Sequence, residues 1–157
     1  MHLHFTYLLL LLLAGAAVHI AKRPDRTPAR GAAILLRYLL VGYCGVPMLA
    51  VGLWALLSPA VVARMFGVGA AGPLLGFFGC AYLGMSLVAI LTVWYGGTFL
   101  LAATLVWAVY LGGATVVHLR EFGLPSVNGA VEIVASHGLI AVLLVTSLIV
   151  SGAWRRK

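Results

Sequence analysis

The residues of this chain whose types could do chemistry lie in two neighbouring segments of its last third. Only 8% of the 157 residues are charged, yet the stretch "VVHLREFG" holds a histidine, an arginine and a glutamate within four positions. Together with the polar residues that follow, the set is His118, Arg120, Glu121, Asn128, Glu132, Ser136 and His137. Histidines and carboxylates bind zinc, iron or copper, and paired histidines hold haem. A ligand, metal or haem site is therefore one interpretation of these residues.

The spacing of these groups matches none of the recognised catalytic or metal-binding motifs. The chain has no HExxH, no His-x3-His, no Cys/His box and no phosphate-binding loop. It offers no convincing pair of nucleophile and general base, so an enzyme is the least favoured class. Helical spacing places Asn128, Glu132 and Ser136 on one face, with His137 about 140° from Glu132. No cofactor is predicted, and haem or a metal ion is kept as an alternative.

Three interpretations of this polar cluster remain open: a structural salt bridge, a pocket for a small ligand or quinone, and a metal or haem site. In the first, Arg120 and Glu121 lie at the level of lipid headgroups, and Glu132 forms a salt bridge that joins two helices. Acidic residues within membrane spans tend to face the bundle interior and to be paired, and Arg120 or His118 is the expected partner. The free N–H groups at the start of a helix also favour a carboxylate at Glu132. We predict this salt bridge, and a pocket for a small ligand or quinone is the alternative.

The composition predicts that membrane-spanning helices carry these residues. Hydrophobic residues make up 64% of the chain and the mean hydropathy is +1.14, whereas soluble domains are near half apolar and a quarter charged. The net charge of +7 could suggest nucleic acid, but the chain has no basic stripe interleaved with aromatic residues. The basic residues flank the apolar segments instead, where anionic lipid headgroups are the expected partner. We expect an integral membrane protein that binds no nucleic acid.

Five apolar segments are long enough to cross a bilayer as helices, since about twenty residues suffice. A lipid-exposed backbone must satisfy its own hydrogen bonds, so helices are the expected structure. The predicted spans are residues 3–20, 34–57, 74–95, 98–117 and 130–153. The chain shows no internal repeat or boundary and is predicted to be one transmembrane domain, 1–157. Because the positive charges follow the first apolar segment, we expect an uncleaved helix rather than a signal peptide.

The basic residues predict the orientation of the spans. Eight of the ten lie in the first loop, at the start of the second span or at the carboxyl terminus: Lys22, Arg23, Arg26, Arg30, Arg37, Arg155, Arg156 and Lys157. With five spans these regions share one side, which the positive-inside rule makes cytoplasmic. Only Arg64 and Arg120 are then outside. The predicted location is the bacterial cytoplasmic (inner) membrane, amino terminus outside and carboxyl terminus inside, with the polar cluster at the outer leaflet.

Small residues predict where helices approach each other. They recur at every fourth position of the third span and as a pair in the fourth: Gly76, Cys80, Gly84, Gly112 and Gly113. Small surfaces allow close backbone approach in lipid. We predict that these residues pack helices within the bundle, and a contact with a second copy or a partner subunit is the alternative. Neither Cys44 nor Cys80 belongs to a CxxC pair, so both are expected to be buried thiols.

Two local signals predict further details of the helices. The segment "SPAVVARMFGVG" (58–69) begins with a serine suited to an N-cap and a proline suited to a first helical turn. It predicts a short interfacial helix on the outer side, with Val61, Val62, Met65 and Phe66 as its apolar face; an irregular loop is the alternative. Pro47 predicts a kink in the second span.

The segments "FLLAATLVWAVYLGGATVVHLREFG" and "NGAVEIV" resemble a family of small bacterial membrane proteins of unknown function. The set Ala114, His118, Arg120 and Glu121 is the most specific part of that pattern, and "LLRYLLVGYCGV" and "LGFFGCAYLGMSLVAIL" are similar too. The resemblance covers roughly residues 34–150. It implies membrane architecture and no particular activity.

The chain departs from this family pattern at two places. The family tends to carry a glutamate and an asparagine where this chain has Phe77 and Tyr82, and an aspartate near Ser136 or His137. If those acids serve a common function, the resemblance implies that this chain has lost it or has replaced it with His137. More loosely, the chain resembles the small DoxX-type membrane proteins, for which a role beside redox complexes has been suggested.

The sequence thus predicts an all-α integral membrane bundle of five transmembrane helices with a short outer interfacial helix. Its expected role is that of a small accessory or partner-binding subunit, in a homo-oligomer or a larger membrane complex. The alternative is a binder or carrier of quinone, haem or metal at the outer leaflet.

Overall fold

Helices form nearly all of the structure, a computed structural model that describes residues 3–66, 72–122 and 130–155. The α-helices are α1 (Leu3–Ala21), α2 (Pro28–Arg37), α3 (Val46–Leu57), α4 (Pro59–Phe66), α5 (Gly72–Leu91), α6 (Gly97–Phe122) and α7 (Ala130–Ser151). A π-helix, Tyr38–Gly45, joins α2 to α3, and a 3-10 turn, Ala153–Arg155, follows α7. The described part of the chain contains no strand, which confirms the predicted all-α fold.

Three continuous helical stretches are long and apolar enough to cross a membrane. The first, Pro28–Leu57, combines α2, the π-helix and α3 in 30 residues. The others are Pro73–Leu91 in α5 and Gly97–Arg120 in α6, of 19 and 24 residues. The first and last helices, α1 and α7, contain 19 and 22 residues. Their stretches Thr6–Ala21 and Ser136–Ser151 are shorter apolar helices. The length and composition of the described residues therefore give three helices that could span a membrane.

The helix Pro28–Leu57 begins before the apolar segment that predicted it. Its N-cap is Thr27, whose side-chain oxygen accepts a hydrogen bond from the backbone N–H of Arg30 at 3.3 Å. Pro28 occupies the first turn, where its missing N–H leaves no bond unmade. The helix starts at Pro28 rather than at residue 34 because this capped, polar turn precedes the apolar run, and it carries Arg30 and Arg37 on its surface.

Pro47 lies just after eight residues of π-helix. The backbone N–H of Val46 bonds to the carbonyl of Val41, five residues back. A proline has no N–H and its ring crowds the preceding turn, so a wider turn accommodates it. Ser86 of α5 donates a side-chain hydrogen bond to the Cys44 carbonyl at 3.3 Å. Where the sequence predicted a kink, the structure has a π-helix anchored to a neighbouring helix.

The core of the bundle surrounds this π-helix, which contacts α1, α5, α6 and α7. Half of the span Pro28–Leu57 is buried, more than in either other span. The core side chains are Leu9, Leu36, Leu39, Leu40, Tyr43, Cys44, Met48, Ala89, Leu100, Trp107, Leu111, Ile140, Leu144 and Leu148. The second predicted span is therefore the central helix.

The glycines at close helix contacts differ from those that the sequence stripe predicted. No described atom lies within 4 Å of a Cβ built on Gly76, Gly84, Gly112 or Gly113. Cys80 is exposed on the surface of the chain, although a buried thiol was expected. The predicted packing role of these residues, within the bundle or against another copy or subunit, stays a prediction.

The close contact of α5 with α3 is made instead by Gly79. A Cβ built on Gly52 lies 3.0 Å from the Gly79 carbonyl oxygen, and one on Gly79 lies 3.0 Å from the Gly52 carbonyl oxygen. Successive residues of a helix point about 100° apart, so Gly79 lies about 100° from Cys80 and about 60° from Gly76 around α5. The buried residues Leu75 and Ser86 lie on the same face of α5 as Gly79, so this face turns inward.

The short helix predicted from residues 58–69 is present as α4. The backbone N–H groups of Val61 and Val62 bond to the Ser58 carbonyl. Val62 and Ala63 are buried and pack with Ala55 and Leu75, while Val61 and Arg64 are exposed. The apolar face predicted to include Val61 is therefore rotated toward Ala63. The side chains of Met65 and Phe66 lie outside the described part of the structure.

Candidate functional sites

Two of the predicted cluster residues lie on the last turns of α6. This helix continues to Phe122, so His118 and Arg120 belong to the helix rather than to a loop. The His118 Nδ1 lies 2.7 Å from the Ala114 carbonyl oxygen. A carbonyl oxygen only accepts, so Nδ1 carries the proton and donates. This bond fixes the imidazole against its own helix, and Arg120 is exposed.

Three of the predicted residues cannot be placed against this pair. The side chains of Glu121 and Glu132, and the whole of Asn128, lie outside the described residues. The backbone of Glu132 belongs to the first turn of α7, as expected for a carboxylate at a helix start. The predicted salt bridge between Arg120 or His118 and Glu132 stays a prediction.

Ser136 and His137 come together with a residue that the sequence reasoning missed. Ser136 Oγ lies 3.4 Å from the His137 Nδ1. The His137 ring makes an edge contact with the Tyr43 ring, at 6.5 Å between centroids and 84° between planes. Tyr43 is fully buried in the π-helix and also interacts with Ser136. The sequence signal for Tyr43 was its position four residues before Pro47, where a kink was predicted.

The α6–α7 pair brings both parts of the predicted cluster to one end of the bundle. A Cβ built on Gly138 lies 3.4 Å from the Thr115 side chain, so the two helices are in close contact there. His118 lies one turn beyond Thr115, and Ser136 lies two residues before Gly138. No group of three histidine, cysteine or acidic side chains converges as metal ligands among the residues with described positions.

A polar contact that the sequence did not indicate joins α5 to α6. The hydroxyl groups of Tyr82 and Tyr110 hydrogen-bond to each other, and their rings pack edge to face at 5.6 Å. Trp107 Nε1 donates to the Met85 carbonyl at 3.0 Å. Each hydrogen bond between helices in lipid contributes on the order of 0.6 kcal/mol. Tyr82, where the resembling family tends to have asparagine, thus serves helix packing here.

The opposite end of the bundle holds a cavity lined with basic side chains, here called the basic cavity. Its volume is about 780 Å³. The side chains that define it are Arg23, Arg30, Arg37, Arg155, His19 and Tyr38. The turn that starts α6 also lines it. The 26 residues of α6 therefore place His118 and Arg120 about 35 Å away.

The sequence did not predict that these arginines would lie around one cavity. Anionic headgroups were expected wherever basic residues flank apolar segments. The structure shows that arginines from α1, α2 and the carboxyl-terminal turn surround one concavity. Charges separated by more than a hundred residues of sequence give no signal that they will meet.

These features define a class: an all-helical protein with three helices suited to crossing a membrane, a central π-helix and polar groups at both ends. The chain belongs to the family described as a family of unknown function (DUF6790), which it matches over residues 2–154. The predicted membership of an uncharacterised family is confirmed, over more of the chain than the resembling motifs covered. No curated protein and no solved structure matches the chain.

Proposed function

We propose that the protein spans the bacterial cytoplasmic membrane five times, with its amino terminus outside and its carboxyl terminus inside. The 19 residues of α1 and the 22 residues of α7 reach about 29 and 33 Å as helices, close to the roughly 30 Å of a bilayer's hydrocarbon core. Arg23, Arg37 and Arg155 lie around one cavity at one end of the bundle. That clustering supports a cytoplasmic position for this end.

Cysteine labelling tests this orientation. In a background with Cys44 and Cys80 replaced by alanine, Ala60→Cys on the exposed surface of α4 should react with a membrane-impermeant thiol reagent in intact cells. Arg155→Cys should react only after the cells are opened. Labelling of Arg155→Cys alone in intact cells would reverse the orientation, and equal labelling of both sites in intact cells would contradict an odd number of spans between the two sites.

We further propose that the protein acts as an accessory subunit that binds another protein in the plane of the membrane. The supporting observation is the exposed surface of α5 that contains Cys80 and Gly84. In lipid, helix association depends on close packing, and small residues allow another backbone to approach. Because this chain leaves that surface unoccupied by its own described atoms, a second copy or a partner helix fits it.

Cys80 provides a direct test of this role. A photoreactive maleimide attached to Cys80 in native membranes should give a protein adduct of one defined mass, since a fixed partner lies beside it. Gly84→Leu should reduce the yield several-fold by holding the partner helix away. The matched control places the label at Val109→Cys, which is 73% exposed on α6, in a chain lacking Cys80. An adduct pattern that is the same at both sites, or unaffected by Gly84→Leu, would contradict the proposal.

A specific contact favours the second candidate function, a binder or carrier of quinone, haem or metal at the outer leaflet. It is the contact of Tyr43 with Ser136 and His137 described above, in which Tyr43 and Ser136 are buried and His137 is partly buried. Ser136 and His137 lie in the first half of α7, toward the end that the proposed orientation makes outer. The protein purified from native membranes in mild detergent should then carry a chromophore or metal that His137→Ala removes. A colourless, metal-free preparation with a stoichiometric protein companion would favour the accessory role instead.

A further inference from the structure

We propose that the basic cavity is a binding site for a phosphate group, presented by a lipid headgroup or by a soluble anion. The cavity lies at the end of the bundle that the proposed orientation makes cytoplasmic. Only the source of the phosphate depends on that proposed orientation. The binding site itself is inferred from the arrangement of the side chains.

The arginines that line the cavity come from three separate parts of the chain. Arg23 follows the end of α1, Arg30 and Arg37 lie on α2, and Arg155 lies in the turn after α7. Residues that merely obey the positive-inside rule need only point toward the headgroup layer. Four guanidinium groups around a single concavity repel one another. An anion bound among them would remove that repulsion.

The acidic residues of the chain do not neutralise this site. Of the three in the sequence, only Asp25 lies near it, and its carboxylate pairs with Arg30. Glu121 and Glu132 belong to the end of α6 and the start of α7, at the far end of the bundle. Among the side chains whose positions are described, Arg23, Arg37 and Arg155 form no salt bridge, so three cationic groups remain for an external anion.

Neighbouring side chains hold two of these arginines in place. The Arg23 Nε donates to His19 Nε2 at 3.4 Å, and the Arg155 guanidinium lies 4.7 Å from the centre of the Trp154 ring. Arg26 differs, because it donates to the backbone carbonyls of Ala21 and Arg23 at the end of α1. It completes the helix terminus and does not line the cavity.

The hydrogen bonds of His19 also orient a hydroxyl donor. A guanidinium only donates, so His19 Nε2 accepts from Arg23, and the remaining proton of a neutral ring lies on Nδ1. That Nδ1 is 3.4 Å from the Tyr38 hydroxyl oxygen, which therefore accepts. The Tyr38 hydroxyl keeps its own hydrogen for another acceptor. Tyr38 lines the cavity, so a phosphate oxygen can take this bond.

The chemistry and size of the cavity favour a phosphate ester over a small inorganic ion. Guanidinium groups match the oxygen geometry of phosphate with paired hydrogen bonds. A volume of about 780 Å³ is within the range of sites for drug-sized molecules. Ile34 and Leu100 supply apolar wall beside the arginines, which suits the glycerol and first acyl carbons of a phospholipid.

The test measures binding to the full-length protein in a neutral detergent, with short-chain phosphatidylglycerol and inorganic phosphate as probes. Arg23→Gln combined with Arg37→Gln should weaken phosphatidylglycerol binding by roughly tenfold or more, since each removes a charge-assisted hydrogen bond. Arg37→Lys should bind with intermediate affinity, because it keeps the charge and loses the paired geometry. Lys22→Gln is the matched control: it removes an exposed charge at the same end but outside the cavity.

The two probes separate the sources of the phosphate. Phosphatidylglycerol binding that millimolar inorganic phosphate does not displace assigns the site to a lipid headgroup, whereas displacement assigns it to a soluble anion. Equal binding of phosphatidylglycerol by the arginine variants and by Lys22→Gln would overturn the site. A reversed result in the cysteine labelling would overturn the membrane orientation and leave phosphate binding intact. Circular dichroism and gel filtration of each variant show that a loss of binding is not a loss of fold.

Discussion

Leucine at Gly79 or Gly52 is expected to lower the free energy of unfolding by about 1–3 kcal/mol, and by more if the helices cannot separate. The cause is a reciprocal backbone contact: a Cβ on either glycine lies 3.0 Å from the carbonyl oxygen of the other. A Cβ on Gly52 also lies 3.1 Å from the Leu83 backbone nitrogen. Backbone atoms cannot rotate away as a flexible side chain can, so α3 and α5 would have to move apart.

The matched controls are Gly76→Leu and Gly84→Leu on the same helix. No described atom lies within 4 Å of a Cβ at either position, so both variants should keep the melting temperature of the detergent-solubilised protein. Gly79→Leu should lower it by several degrees. Destabilisation by Gly84→Leu with tolerance at Gly79 would mean that α5 is rotated relative to this structure. If Gly84→Leu and Gly79→Leu each destabilise a purified oligomer, a second copy lies on the exposed surface of α5 that contains Cys80 and Gly84.

Replacing Trp107 with alanine is expected to destabilise the protein by about 3 kcal/mol, as typical for a large buried aromatic side chain. Trp107 is fully buried in the core, packs edge to face on Tyr110 at 5.8 Å and donates to the Met85 carbonyl. In a membrane the lost term is packing and hydrogen bonding, because lipid also solvates apolar side chains in the unfolded state. The value should therefore lie at the lower end of the range for soluble proteins.

Two further variants separate the parts of this effect. Trp107→Phe keeps most of the volume and removes the N–H donor, so it should cost about 1 kcal/mol. Trp94→Ala removes a tryptophan that is 71% exposed in the turn after α5 and should change stability by less than about 0.5 kcal/mol. The unfolding of all three variants is compared in a mild detergent and monitored by circular dichroism, which does not rely on tryptophan fluorescence. Equal losses for Trp94→Ala and Trp107→Ala would contradict the assigned core.

The apolar segments predicted the existence of the helices well and their ends less well. Helix boundaries depend on hydrogen bonds of a few residues, such as the Thr27 side chain with the Arg30 backbone, which an apolar window averages away. The polar end of α6 was missed for the same reason, because its last turns are helical without being apolar. The predicted membership of an uncharacterised family was confirmed, since motif matching does not depend on knowing where a helix ends.

The candidate sites could be predicted only where their residues are close in sequence. Ser136 and His137 were singled out from their own segment, but Tyr43 joins them from the π-helix, more than ninety positions earlier. The basic cavity has the same character, since Arg37 and Arg155 meet only after α2 and α7 have packed. A pattern along the chain gives the residue types at a site, and packing determines which of them meet.

The sequence by itself determined the helical class. Its long apolar segments indicate surroundings without water, where backbone N–H and C=O groups must form hydrogen bonds within their own segment, as they do in helices. It also determined the family and the concentration of positive charge beside the first apolar segment and at the carboxyl terminus. Only the tertiary structure decided which face of α5 turns inward and which arginines share a cavity. Composition acts on each segment separately, whereas the rotation of a helix is set by the shapes of all its neighbours. The small residues of α5 permit either rotation, and the packed structure buries the face that contains Leu75, Gly79 and Ser86.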